Sequence, residues 1–534
     1  MSEDLRHECG LAALCWLDRP AAKSGPAERL VSSGDVVSLM PGMLLDLQNR
    51  GQLAAGLSSF RPGREQLLTT CKGLGTVAEA FGMSNGRRCR ELLAECAGPA
   101  AIGHTRYATC GADDIRHAQP FERRHGRLWK WFCFAFNGNL ANFTELRDRL
   151  LARQHYHFSL NTDTEMILHA LSYQLRRQKL PDLRRVMSSL ARAFDGACNL
   201  AFLDAMGRLF VARDPLGFRP LSWAVSGRLF AAASESVALA NMGFTDIRDV
   251  APGEMAIVEN GRLRFERFAK RRRHAHCFFE WVYFSNVASI IAGSSVYAAR
   301  SQAGRRLAER EDQKLDDSCI VVPVPDTAKA AADAFAYRLG IPPVEGLIRN
   351  RYVGRTFIES LSARGSKARS KYTPLPAVIS GKRVFLVEDS IVRATTLAQV
   401  AGMLRQRGGA RQVHVRVACP PIIAPCFYGI DMSSLSELFA AKYIPPARAA
   451  APSEATMAAM AKALGVDSLR YLAASDLGSC LGVQDTSLCT GCVTGDYPTT
   501  WGRKLTRRAR RDFQKGIRRR AYEGDPPSCP CSSI

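Results

Sequence analysis

The stretch "KRVFLVEDSIVRATTLAQVAGMLRQRGG" constrains the fold of this chain more than any other. Its apolar run, Val384 to Val387, reads as a buried strand, and the acidic pair Glu388 and Asp389 stands at that strand's carboxyl end. A polar loop from Ser390 to Thr396 then opens a helix. The same rhythm occurs earlier, where "CIVVPVP" leads through Asp326 and Thr327 into "AKAAADAFAYRLG". Strands that alternate with helices in this way predict parallel βαβ units in a doubly wound sheet, with a ligand site outside the carboxyl ends of the strands.

The first half has another texture. Short apolar strands alternate with turn signals in "AAIGHTRYATCG", "WFCFAFNGNL", "CNLAFLDAMGRLFVARDPLG" and "RLFAAASES". Helical stretches, Asp163 to Tyr173 and Leu183 to Phe194, interrupt them. This is a sheet-rich α/β domain, separated from the second half by the basic linker "RFERFAKRRRHAH". At 534 residues the chain is too long for one core. The Ala-rich residues 440 to 465 fit a helix from about Ser453 to Leu464, with Gly465 as its stop.

The formal charge of +23 is unevenly spread, because ten Lys or Arg and one Asp fall between Arg503 and Arg520. That segment reads first as a solvated basic helix, with RNA or membrane-surface contact as the alternative. The seventeen cysteines are odd in number and irregularly spaced, which argues for reduced thiols over a secreted disulfide framework. Only Cys489 and Cys492 have ligand-like local spacing. No apolar run reaches the roughly 18 residues that span a bilayer, and the start, "MSEDLRHE", is polar and acidic; the expectation is a cytoplasmic protein.

Hydroxyls and backbone N–H groups at a helix start suit a phosphate, and two adjacent carboxylates suit ribose hydroxyls or Mg²⁺. The stretch "RVFLVEDSIVRATT" resembles the phosphoribosyl pyrophosphate loop of type I phosphoribosyltransferases. Together with "VVPVPDTAKAA", "RNRYVGRTFI", "SSVYAAR" and "CFYGIDM", in order, it resembles the amidophosphoribosyltransferase family. The resemblance implies Thr327, Glu388 and Asp389 for Mg²⁺ and the ribose. It implies the loop from Ser390 through Arg393 to Thr395 and Thr396 for the 5′-phosphate. Arg351, Arg355, Arg369 and Lys371 become candidates to clamp pyrophosphate. Ala394 stands where the family usually has glycine, a strained choice if that position needs a positive φ. Asn286, Val287 and Ala288 replace the family's Arg-Pro-Asp.

The first half resembles the same family's class II glutaminase domain, through "LQNRGQLAAGL", "IGHTRYATCG", "HAQPF", "FNGNL", "NTDTE", "ARDPLGFRPL", "ASESVAL" and "RDVAPGE". The expected architecture is therefore α/β throughout: a four-layer αββα N-terminal nucleophile glutaminase domain over residues 9–265, then a type I phosphoribosyltransferase domain over 266–500 with a parallel, doubly wound sheet. Residues 1–8 would be a propeptide and 501–534 a basic tail that resembles nothing in the family. A cut between Glu8 and Cys9 would give Cys9 an α-amine with a reference pKa of about 7.7–8.0, a base at neutral pH. Its thiolate would attack the glutamine side-chain amide. By resemblance, Asn137 and the Gly138 N–H would hold the oxyanion, Arg106 the glutamine α-carboxylate and Asp163 its α-ammonium. His104 and Tyr107 read as structural support. Ala13 stands where the family usually has glycine beside the nucleophile.

In family members with a [4Fe-4S] cluster, ligands occur at positions matched by Cys426, Cys489 and Cys492, and just before an aromatic strand, where Cys277 stands. A Cys₄ zinc site would use the same four thiolates. The activity implied is formation of 5-phosphoribosylamine, glutamate and pyrophosphate from glutamine, water and phosphoribosyl pyrophosphate, opening purine synthesis, in a homotetramer or dimer under nucleotide feedback. A sugar-phosphate transaminase would share the glutaminase half but not the phosphoribosyl loop. A regulatory or specialised-pathway paralogue that has lost turnover would account for Ala394, the missing Arg-Pro-Asp and the basic tail.

Overall fold

The computed structural model describes residues 9–18, 25–31, 34–107, 114–153, 156–350, 371–430, 432, 434–444 and 452–517. The first half folds as two antiparallel sheets packed face to face, of seven and six strands. The strand Gly10–Trp16 lies inside the larger sheet between Ala100–Arg106 and Leu229–Ala233. Its residues alternate between two cores, as the two-residue period of a strand requires. Leu11, Ala13 and Cys15 meet Cys133, Ala135, Ala201 and Leu203 of the second sheet, while Ala12 and Leu14 face Met40, Met43, Leu44 and Leu47 on the outer helix. On the far face of the second sheet, Phe132, Phe134 and Phe136 pack on Ile167, Leu171, Val186 and Leu190. The layers are therefore helix, sheet, sheet, helix. The two helices expected there run Asp163–Gln174 and Leu183–Ala193.

The second half builds four parallel strands in the order Cys319–Pro323, Arg383–Glu388, Gln412–Val417, Ser468–Tyr471. After Cys319–Pro323 the chain passes through the helix Lys329–Leu339 to a parallel bridge between Val321 and Pro343, on the side away from Arg383–Glu388. It then returns to Arg383–Glu388 and continues in the opposite direction. The strand order thus reverses between Cys319–Pro323 and Arg383–Glu388, which is where a doubly wound sheet opens a crevice for its ligand. The helix Glu454–Leu464 is capped by the Ser453 side chain and stopped by Gly465 in the left-handed conformation, as its sequence predicts.

Two segments differ from the sequence reading. Residues 264–267 of the basic linker belong to Arg262–Arg267, the edge strand of the six-stranded sheet. The aromatic run after Cys277 is helical, not a strand: Glu280–Phe284 forms a single π-helical turn. Phe279, Trp281, Val282 and Phe284 are all buried, so no face is left for the alternation of a strand, and Phe279 stacks on Tyr283 four residues on. The basic segment begins as the helix Thr500–Gln514, whose Leu505 and Ala509 are buried in the second domain's core.

The halves are joined by buried polar contacts. Arg50 Nε lies 2.6 Å from Glu235 Oε1, and its Nη2 2.6 Å from Glu280 Oε2, with all three side chains out of solvent. Asn49 Nδ2 donates to the Phe284 carbonyl at 3.0 Å, and Arg219 Nη2 to the Tyr428 carbonyl at 2.6 Å. Tyr428 stacks on Phe218 with ring centroids 4.2 Å apart.

Candidate active site

Cys9 precedes the strand Gly10–Trp16, and because Gly10 pairs with Thr105, it is carried to the end of Ala100–Arg106. Its thiol faces the Tyr107 carbonyl at 3.8 Å. Gly51 allows this corner to close, since a Cβ there would stand 2.5 Å from the Arg106 carbonyl carbon. Arg106, the last residue of the strand Ala100–Arg106, is buried. His104 is fully buried beside the Phe136 carbonyl, and burial pushes its imidazole down to about 3. It is therefore neutral, as a supporting residue would be.

Asn137 and Gly138 sit opposite, on Phe132–Leu140. Ser234 connects the two sides, accepting from the Leu11 N–H at 2.9 Å and from Asn137 Nδ2 at 3.4 Å. Gly138 has φ 152°, and a Cβ there would fall 2.1 Å from the Ala197 carbonyl oxygen. Only glycine fits, which leaves its backbone unshielded by a side chain. Asp163 opens its helix behind the Thr162 cap and accepts from the Leu140 N–H at 3.4 Å. Burial pushes its carboxyl up to about 6. An acid in that state gains from a cationic ligand. Ala13, wholly buried, adds its methyl to the core between the sheets.

In the second domain a cavity of about 340 Å³ opens at the reversal of strand order. Thr327, Lys371, Glu388, Asp389, Ser390, Arg393 and Thr396 all line it. Thr395, on the same loop, is exposed and outside the lining. Burial, and then their mutual repulsion, pushes the Glu388 carboxyl well up; Asp389 is raised to about 6, chiefly by burial. Ser390 Oγ donates to Asp389 Oδ1 at 2.6 Å. Ala394 is the first residue of the helix Ala394–Gln406 and is not among the positive-φ residues, so the strain considered for it does not arise. Arg351, Arg355 and Arg369 lie outside the described residues.

Asn49, Tyr283, Asn286 and Val287 complete the wall of this cavity. Sequence reasoning assigned the first two no role. Asn49 sits in the quoted "LQNRGQ" and belongs to the other domain, so only the fold reveals where it points. Asn286 N–H donates to Glu235 Oε2 at 2.7 Å, which ties the segment replacing Arg-Pro-Asp to the first domain.

The four matched cysteines come together. Cys277 and Cys489 are register partners of a parallel strand pair. Cys492 follows on the Gly491–Thr494 turn, and its carbonyl accepts from the Ile423 and Ala424 N–H groups leading to Cys426. Burial, reinforced by Cys426, pushes the Cys489 thiol up to about 12; Cys492 is raised by burial, then by Cys426, Cys277 and Cys489. Tyr428 N–H points at Cys426 Sγ at 3.4 Å. Among the described residues, no three His, Cys, Asp or Glu side chains converge closely enough to ligate a single metal ion. No helix among them is long and apolar enough to cross a membrane.

Comparison with known proteins agrees with this two-domain arrangement. The sequence model of the glutamine amidotransferase domain matches residues 104–241. The amidophosphoribosyltransferase of Methanothermobacter thermautotrophicus is 37% identical over 501 residues, 93% of this chain and 95% of that one. That of Pyrococcus horikoshii is 40% identical over 455 residues, 85% and 92% of the two chains. The solved glutamine phosphoribosylpyrophosphate amidotransferase of B. subtilis, complexed with ADP and GMP, superposes with a TM-score of 0.77 at 33% identity, covering 92% of this chain and 98% of that one. Likeness at this level covers most of both chains, and the chain belongs to the amidophosphoribosyltransferase family.

Proposed function

We infer that this chain makes 5-phosphoribosylamine, glutamate and pyrophosphate from glutamine, water and phosphoribosyl pyrophosphate. The observation that carries the reading is Asn49: a residue of the amidotransferase domain stands in the wall of the cavity that holds Glu388 and Asp389. The domain that would release ammonia thus supplies part of the wall of the cavity where it would be used.

Removal of residues 1–8 frees the Cys9 α-amine, which takes the thiol proton. The thiolate attacks the glutamine amide carbon, and ammonia leaves as the thioester forms; water then releases glutamate. Asn137 Nδ2 and the Gly138 N–H face the developing oxyanion, a contribution of about 10²–10³ in rate for one such donor. Arg106 holds the α-carboxylate in a forked contact and Asp163 the α-ammonium. In the second cavity, the loop Ser390–Thr396 takes the 5′-phosphate at the helix start, and Lys371 with Arg351, Arg355 and Arg369 takes pyrophosphate. Ammonia attacks C1 of the ribose and pyrophosphate departs.

Two adjacent carboxyls lining a polar cavity, Asp389 buried and Glu388 half-buried, are a fitting donor set for a divalent cation. Thr327, Glu388 and Asp389 would hold Mg²⁺ and the ribose; when bound, the ion neutralises pyrophosphate charge. Cys277, Cys426, Cys489 and Cys492 would hold a [4Fe-4S] cluster, which cross-links their segments. Cys426, Cys489 and Cys492 are buried and Cys277 is half-buried, a set of four thiols of the kind such a cluster takes.

The test is glutamate and pyrophosphate release by anaerobically purified protein, with intact and native mass measured on the same sample. The expected result is phosphoribosyl pyrophosphate-stimulated glutamate formation by a chain beginning at Cys9, with four irons and four sulfides. No glutamate from glutamine, with or without phosphoribosyl pyrophosphate, overturns the enzymatic reading. A retained Met1 in active protein overturns the propeptide, and a zinc-only mass overturns the cluster.

A further inference from the structure

Cys71 and Cys96 take no part in either candidate site, yet their sulfurs lie only 2.7 Å apart. That is inside the contact distance of two non-bonded sulfurs and approaches the roughly 2.05 Å of a disulfide. We infer that these two residues form a reversible disulfide, a staple that fixes the helix Gly86–Cys96 to the edge strand Leu68–Leu74.

The surroundings give such a staple a purpose. Leu68–Leu74 is the outermost strand of the seven-stranded sheet and, among the described residues, pairs only with Ala54–Phe60. Unpaired edges invite pairing with other chains unless something covers them. The helix packed against this strand is weakly anchored: of its eleven residues only Cys96, the last, is buried. Leu92 and Leu93 pack partly against the core, while Arg87, Arg88 and Arg90 face solvent. Its one buried contact point is therefore the sulfur that meets Cys71. The strand matters beyond itself, because Lys72 Nζ donates to the Ala118 carbonyl at 2.9 Å, next to Gln119, which accepts from the Phe136 N–H one residue before Asn137.

The two thiols are unequal in a way that suits exchange. The hydrogen bond from Cys96 holds the half-buried Cys71 below the ordinary thiol range, and the same pairing together with burial raises Cys96. With a low-molecular-weight disulfide as oxidant, the Cys71 thiolate attacks one of its sulfurs, forming a mixed disulfide and releasing one thiolate. Cys96 gives its proton to that thiolate. Its sulfur then attacks Cys71 Sγ and expels the second thiolate. Two protein thiols are oxidised and one external disulfide is reduced to two thiols.

Trypsin separates the partners into Glu65–Lys72 and Glu91–Arg106, each with one cysteine. The full chain is incubated anaerobically with glutathione disulfide or with dithiothreitol, alkylated in acid, and mapped without reduction. The expected result is a linked Glu65–Lys72/Glu91–Arg106 pair after glutathione disulfide, absent after dithiothreitol, with slower hydrogen exchange across residues 86–96 in the oxidised protein. Independent alkylation of both cysteines in every condition overturns the staple. So does a stable glutathione cap on Cys71, or pairing of either with another cysteine. Cys71→Ala and Cys96→Ala, made separately, each abolish the difference in exchange between the two treatments if the staple is its cause.

Discussion

Asn139 Nδ2 donates to the Phe427 carbonyl at 2.9 Å, across the boundary between the two domains. Asn139 directly follows Asn137 and Gly138, the residues proposed to hold the oxyanion, and Phe427 follows Cys426. Gly429, two residues on, packs against Gly138 so closely that a Cβ there would stand 3.4 Å from the Gly138 carbonyl. The backbone beside the cysteine centre thus buttresses the strand that faces Cys9.

This contact predicts a coupling phenotype. Asn139→Ala leaves the Phe427 carbonyl buried without its donor, at a cost of about 1–3 kcal/mol. Glutamine-dependent synthesis is expected to fall several-fold, while synthesis from added ammonia is kept. Equal losses in the two assays would mean that Asn139 only stabilises the fold.

Gly138→Ala is expected to be more severe and more selective. The added methyl would overlap the Ala197 carbonyl, 2.1 Å away, and must push the strand aside. Glutaminase activity should drop by about 10²–10³, the scale of one lost oxyanion donor. Ammonia-dependent synthesis, measured in the same preparation, should persist.

If Asp163 holds the glutamine ammonium as proposed, glutamine binding is expected to depend on pH. Burial raises its carboxyl from 3.8 to about 6, so between those values the folded chain holds a proton that the unfolded chain has lost. Its contribution to stability is full below the unfolded value and is lost as pH rises through the folded one. Binding runs the other way, because the glutamine ammonium needs the carboxylate. KM for glutamine is expected to rise as pH falls below about 6, with phosphoribosyl pyrophosphate KM much less affected. Asp163→Asn should raise KM for glutamine and flatten this pH dependence.

What the sequence makes legible here is local or periodic. The run Val384–Val387 has one use, a strand buried on both faces, and it delivers Glu388 and Asp389 where ligand sites occur. Ser453 and Gly465 announce their helix because capping is a property of a few adjacent residues. The first helical position of Ala394 depends on the backbone around it, so a missing glycine looked costlier than it is. The bond from Asn139 to Phe427 spans 288 residues, and Arg50 meets Glu280 from 230 residues away. No spacing encodes such pairs. Cys71 and Cys96 are 25 residues apart, a distance that matches no ligand motif.

The Arg50 network carries the largest stability prediction. Arg50 bridges Glu235 and Glu280 with no solvent at any of the three side chains. Removing Arg50 takes a cation from both carboxylates, although Arg219 Nη1 still stands 3.4 Å from Glu280 Oε1, and breaking a buried pair in this way costs about 3–5 kcal/mol. Arg50→Ala should therefore lower Tm strongly and expose the domain boundary to protease. Adding Glu235→Gln to Arg50→Ala removes the charge of the carboxylate that Arg50 Nε faces and should recover part of the loss, while Glu280 keeps its contact with Arg219.

Ala394→Gly, the change toward the family's usual residue, should not stabilise the protein. Ala394 begins a helix and needs no positive φ, so glycine there adds backbone entropy to the unfolded chain without relieving strain. The expected effect is a loss of about 0.5–1 kcal/mol, read from urea unfolding. KM for phosphoribosyl pyrophosphate should change little, because Ala394 is not among the residues that line the cavity. A large gain in affinity would show instead that alanine narrows the loop when ligand is bound.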